Sequence, residues 1–194
     1  MNAPVKSPTQ PWQMSAAEAS TLIQARALSA EELTRSCLDR IAARNADVKA
    51  WVWLDPERAI RKAKELDKVL IHAGPKSRLH GIPFGVKDMI DTAEMPTTNN
   101  SPIYPDNQPS HDAQVVRIMK AAGAFVMGKC DTVEFAAGGR KALTRNPHDF
   151  ARTPGGSSSG SGAAVGDGQV PIAFGTQTGG SHIRPASFNG AYGI

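Results

Sequence analysis

Two serine-bearing, glycine-rich stretches mark the second half of the chain: TPGGSSSGSG at 153–162 and GTQTGGSH at 175–182. A serine hydroxyl is nearly inert toward a carbonyl unless a base removes its proton, so their chemistry depends on what else stands nearby. Three local readings of the first stretch compete. A Gly/Ser run can be a flexible connector, but this one passes directly into AAVGDGQVPIAFG, an apolar stretch fit for a core. A glycine-rich turn entering a helix can hold an anion on its backbone N–H groups. The pattern GxxxxGK[ST] then needs a lysine to reach phosphates, and here Gly160 is followed by Ser161 and Gly162. Finally, Gly156-Ser157-Ser158-Ser159-Gly160 matches GxSxG, whose mechanism needs an acid and then a histidine downstream. The only later histidine, His182, comes too soon to complete that order. The GxSxG match, centred on Ser158, is read as accidental.

The wider pattern is more specific. In order along the chain stand EEL and RIAARN (31–45), LHGIPFGVKD (79–88), HDAQVV (111–116), AGA, GK, EFA (134–136), NP, TPGGSSSGS and GTQTGGS. Together these blocks resemble the amidase signature family, and Ser157 and Ser181 stand 24 residues apart as that family's two catalytic serines do. The resemblance implies a Ser–Ser–Lys triad: Lys87 of GVKD as ultimate base, Ser157 as bridging serine and Ser181 as nucleophile. It also implies a cis Gly156–Ser157 peptide, with Gly156 and Ser158 in support. An oxyanion hole is implied at the N–H groups of Thr178, Gly179, Gly180 and Ser181. The chemistry is coherent. Burying Lys87 at the end of the apolar GIPFGV run would disfavour its ammonium, and a serine hydroxyl can both donate and accept a relayed proton.

The implied activity is hydrolysis of a carboxylic amide to acid and ammonia through a Ser181 acyl-enzyme, with no metal or organic cofactor. Two alternatives stand beside it. One is the glutamine-hydrolysing subunit of a tRNA-dependent amidotransferase, which works in a heteromeric assembly. The other is a non-catalytic fragment whose glycine-rich loops bind small anions or a partner. The sequence departs from the commonest family form, GTDTGGSIR, in two places: Gln177 replaces the aspartate, and Arg184 follows Ser181 by three residues rather than two. The roles of Gln177, His182 and Arg184 are left open. The chain stops at GAYGI, so it is read as the N-terminal portion of an amidase, with an incomplete sheet whose strand edges and apolar surface invite association, including homo-oligomers.

These residues need positioning by ordered elements. Ser15-Ala-Ala-Glu18 and Ser29-Ala-Glu-Glu32 fit capping boxes and predict helices over 15–27 and 30–44, the second with an apolar stripe of Leu33, Cys37, Leu38 and Ile41. AWVWL (50–54) reads as a short strand, and Asp55-Pro56 starts a helix to about residue 72. A buried strand is expected in GIPFGVKDMID, then an Asn/Pro-rich loop to about 110, a helix from an Asp112 cap through Ala122, and a strand at 124–128. Helices alternating with short apolar strands predict an α/β fold, a mixed sheet flanked by helices. The domain reading is a flexible tail over 1–12 and one amidase-domain portion over 13–194.

Composition sets the outer bounds. Lys and Arg exceed Asp and Glu by 22 − 18 = 4, yet Lys62, Lys64 and Lys68 are interleaved with Glu57, Glu65 and Asp67, as on a solvated helix face. Direct nucleic-acid binding is not expected; the expected partner is a small-molecule amide. Cys37 and Cys130 are far apart and form no CxxC pair, which predicts neither a disulfide framework nor a zinc site. The polar N-terminus and the lack of a run of about 18 apolar residues argue against a signal peptide and a membrane span. The resulting expectation is a cytoplasmic protein.

Overall fold

The computed structural model describes residues 10–194. The expected tail over 1–12 therefore lies mostly outside the described residues; Pro11–Gln13 form a single 3-10 turn, with Arg40 stacked over the Trp12 ring. Helix α1 (Ala16–Gln24) and helix α2 (Ala30–Val48) both begin on reciprocal capping boxes, Ser15 with Glu18 and Ser29 with Glu32. The first is shorter than the sequence predicts because Arg26 turns to φ 59. The second runs four residues further, to the fully buried Val48, before Lys49 ends it in the left-handed region. Its first free N–H groups, at Ala30 and Glu31, donate to the Asp67 carboxylate of helix α3 (Pro56–Ala73), itself capped by Asp55.

Strands β1 (Trp51–Leu54), β2 (Pro83–Lys87), β3 (Phe125–Cys130) and β4 (Ile172–Phe174) form one mixed sheet in the order β1-β3-β2-β4. The β2–β3 and β2–β4 pairs are parallel and β1–β3 is antiparallel. Alternation along the strands feeds two cores. Phe84, Val86 and Val126 join Met95, Val116 and Met119 on one face; Phe125 and Met127 join Ile23, Leu33, Cys37, Ile41 and Leu70 on the other. Helix α4 (Gln114–Ala121) covers the first face, but Asp112 does not cap it. The cap position is Ala113, and the Asp112 carboxylate instead accepts the Ala93 N–H and the Lys120 ammonium, each at 2.8 Å.

Two more helices complete the description. Helix α5 (Ser159–Gly166) is built of small residues, six of them buried. Its glycines permit backbone-to-backbone approach: a Cβ on Gly160 would lie 2.3 Å from the Ala50 carbonyl oxygen. Helix α6 (Ile183–Phe188) packs on α5 at the end of the chain. None of the described helices is long and apolar enough to cross a membrane.

Candidate active site

Parallel β2 ends at Lys87, whose side chain is fully buried, 0% exposed. Its Nζ donates to Ser157 Oγ at 2.7 Å and to Thr176 Oγ1 at 2.7 Å. Burial pushes its pKa down from 10.5 to about 8, since the ammonium loses its hydration. The neighbouring strand offers a contrast. Lys129 on β3 is equally buried, but its Nζ sits 3.3 Å from an Asp88 carboxylate oxygen and donates to Pro96 O and Thr97 Oγ1. Burial lowers its pKa too, against the opposing pull of Asp88. Lys129 has an anion to neutralise; Lys87 meets hydroxyls only.

Ser157 is presented by the turn that leads into α5. The Gly156–Ser157 peptide is cis. Its carbonyl oxygen, Gly156 O, accepts from Arg184, and that of the following peptide, Ser157 O, accepts from Val133 N–H at 3.2 Å and Thr132 Oγ1 at 3.0 Å. Ser158 is oriented elsewhere. Its hydroxyl donates to Thr176 O and accepts the Thr176 N–H, while its own N–H donates to Ser181 O at 3.1 Å. That hydroxyl is thus committed to the 176 backbone, which removes it from the GxSxG role.

Ser181 lies in the loop between β4 and α6. Backbone contact with Ser158 brings this loop onto the Ser157 turn, but no hydrogen bond joins the Ser157 and Ser181 hydroxyls. The N–H groups of Thr178, Gly179, Gly180 and Ser181 donate to no acceptor among the described residues. By contrast, the next two, His182 and Ile183, donate to Gln177 Oε1 at 3.2 and 3.1 Å. Gly180 has φ 125, a conformation that favours glycine, and open space surrounds the Cβ positions of Gly179 and Gly180. Four consecutive free donors beside a serine are what an oxyanion would need. An apolar cleft of about 350 Å³ borders the loop through Ser158 and His182 and is lined by Met119, Phe174 and Tyr192.

Sequence reasoning missed Thr176, the second partner of Lys87, which also donates to Met89 Sδ at 3.1 Å. Its only signal was membership of the GTQTGGS block. Among the described residues no group of three or more His, Cys, Asp or Glu is arranged to hold a metal ion.

Residues 32–194 match the family described as Amidase. The chain belongs to that family. The match takes in α2 from its third residue and every element after it, and with them Lys87, Ser157 and Ser181. Among curated amidase-family relatives, the chain is 42% identical over 183 residues to a glutamyl-tRNA(Gln) amidotransferase subunit of Acidothermus cellulolyticus, covering 92% of this chain and 36% of that protein. Among solved structures it is similar to the peptide amidase of Stenotrophomonas maltophilia, with TM-score 0.85, 34% identity, and 91% of this chain against 39% of that one. It is also similar to a fatty acid amide hydrolase, with TM-score 0.87, 26% identity, and 93% of this chain against 33%. The chain thus spans 33–39% of the length of these relatives.

Proposed function

We propose that this chain carries the proton-relay machinery of an amide hydrolase. Ser181 Oγ attacks the substrate carbonyl carbon, its proton passes to Ser157, and Ser157 gives its own proton to neutral Lys87. The oxyanion forms against the N–H groups of residues 178–181, where lost donors cost roughly 10²–10³ in rate. Collapse expels the amine, which takes the proton back through Ser157 and leaves as ammonia. Water then attacks the acyl group by the same relay, and the acid departs. The observation that carries this reading is Lys87: fully buried and bonded only to hydroxyls, with its pKa lowered to about 8, it becomes an uncharged amine at mildly alkaline pH, well below an ordinary lysine.

The test is covalent labelling of the purified chain by a fluorophosphonate, followed by mapping of the modified residue. Label at Ser181, lost in Ser181→Ala and Lys87→Ala, is the expected result; full labelling of both variants refutes the assignment. Ammonia release from a panel of simple amides and glutamine then defines the substrate.

A second reading, glutamine hydrolysis within an amidotransferase, is favoured by one specific observation, the 42% identity to a protein named as one subunit of such an enzyme. Glutamine-specific release that appears only with partner proteins would select it. Release from simple amides by the chain alone selects the first.

A further inference from the structure

Arg184 and Gln177, the two departures from the common family pattern, are neither idle nor in contact with one another's side chain. Arg184 is exposed, where an arginine is ordinarily a solvated charge. Here both Nη2 and Nε converge on a single acceptor, the Gly156 carbonyl oxygen, at 2.8 and 3.2 Å. That carbonyl belongs to the peptide immediately before Ser157. Gln177 Oε1 in turn takes the N–H groups of His182 and Ile183, donors that a helix start leaves unsatisfied. The loop therefore closes on itself from 177 to 183, with Ser181 inside the closure.

We propose that Arg184 and Gln177 are positioning residues that lock the Ser157 turn and the Ser181 loop in one register. The inference rests on the relay reading of Lys87, Ser157 and Ser181. A hydroxyl passes a proton only when its oxygen can reach both partners; the peptide units flanking the Ser157 Cα set where its Cβ points, and rotation about Cα–Cβ then swings Oγ, which here meets Lys87 Nζ. Ser157 O is held by Val133 N–H and Thr132 Oγ1, from the segment after β3. The remaining two restraints come from the nucleophile segment: Arg184 on Gly156 O, and Ser181 O on the Ser158 N–H. Close packing keeps these bonds short. A Cβ on Gly155 would lie 3.0 Å from Pro185 Cα, and one on Gly162 would lie 2.8 Å from Pro185 Cβ, so the start of α6 rides directly on the turn. Lysine cannot replace the fork, because a single ammonium does not present two fixed donors from one plane.

The test uses the purified chain with Arg184→Ala, Arg184→Lys, Gln177→Ala and Gln177→Glu, and Arg61→Ala, an exposed residue of α3, as a remote control. Two measurements are made: the saturation kinetics of fluorophosphonate labelling at Ser181, and amide hydrogen exchange by residue. Arg184→Ala is expected to lower the maximal labelling rate about 10-fold, the worth of a charged hydrogen bond, with the half-saturating probe concentration unchanged. The Ser158 N–H should exchange correspondingly faster. Arg184→Lys should recover part of the loss. Gln177→Ala should speed exchange at His182 and Ile183 and slow labelling, while Gln177→Glu, which keeps an acceptor beside the helix start, should behave like wild type. A wild-type maximal rate in Arg184→Ala, or unchanged exchange at Ser158, overturns the proposal. If the wild-type chain takes no label, the amidase reading fails, and the exchange measurement alone still decides whether Arg184 holds the turn.

Discussion

Replacing Lys87 by methionine isolates the cost of burying an ammonium. The folded-state pKa is about 8 against 10.5 for a free lysine. That lowering corresponds to about 3 kcal/mol of stability withheld while the group must be charged. The sign follows from proton counts. Between pH 8 and 10.5 the unfolded chain holds the lysine proton and the folded chain does not, so stability rises with pH across that window. Below pH 8 the full cost is present; above 10.5 it is gone. Lys87→Met removes the titration but also removes two hydrogen bonds, a loss of about 1 kcal/mol each that does not depend on pH. The informative quantity is therefore the difference in unfolding free energy between wild type and Lys87→Met, from urea titrations at intervals between about pH 7 and 11. Other lysines and tyrosines titrate equally in both proteins and cancel. The difference should move in favour of wild type by about 1.4 kcal/mol per pH unit between 8 and 10.5, and flatten outside it. Parallel stability curves would refute the depressed pKa and, with it, the supply of a neutral amine.

Other expectations follow from the same contacts. Labelling of Ser181 should increase as pH rises through about 8, where Lys87 loses its proton; a flat profile from about pH 6 to 10 would count against Lys87 as base. In Thr176→Val the ammonium loses an acceptor, so the midpoint of that profile should move to lower pH. Ser157→Ala should keep the thermal unfolding transition while labelling drops by about 10²–10⁴, the range for proton-transfer catalysis. Gly180→Ala should reduce labelling more than Gly179→Ala, because only Gly180 has a positive φ that an added Cβ resists; equal effects would separate the loop conformation from the reaction.

The helical first half was legible because its signals are local. Both capping boxes form, and Leu33, Cys37 and Ile41 are the buried stripe of α2. Lys87 was legible only through the GVKD block of the family resemblance, since a lysine closing a strand is ordinarily a surface charge; here the fold buries it at the end of β2. What the sequence hid is where burial is uniform or elements are short. α5 has no apolar stripe because nearly every residue is buried against backbone, and Gly and Ser are poor helix formers. β4 is three residues long and α6 is six with a proline inside, so neither supports a periodic pattern. Asp112 looked like a cap from its place before the helix, but a tertiary contact with Lys120 and the Ala93 N–H claims its carboxylate. Thr176 carries no spacing signal of its own; only the folded loop brings its hydroxyl to Lys87.

The separation of the two buried lysines depends on a single acidic side chain pointing away from the site. Asp88 follows Lys87 directly, in the turn that ends β2, and its side chain faces Thr98 and Lys129. Its carboxylate accepts the Thr98 N–H and hydroxyl and lies against Lys129, well supplied with donors and closed to Lys87. Were that anion turned to Lys87, the ammonium would gain a partner and its pKa would rise, leaving no base at mildly alkaline pH. If Lys87 is the base proposed above, the VKD sequence places a potential inhibitor of it one residue away. The fold disarms it by giving Asp88 a lysine of its own. On the proposed relay, Lys129 acts at one remove: it occupies Asp88 and touches none of the three residues assigned to the relay.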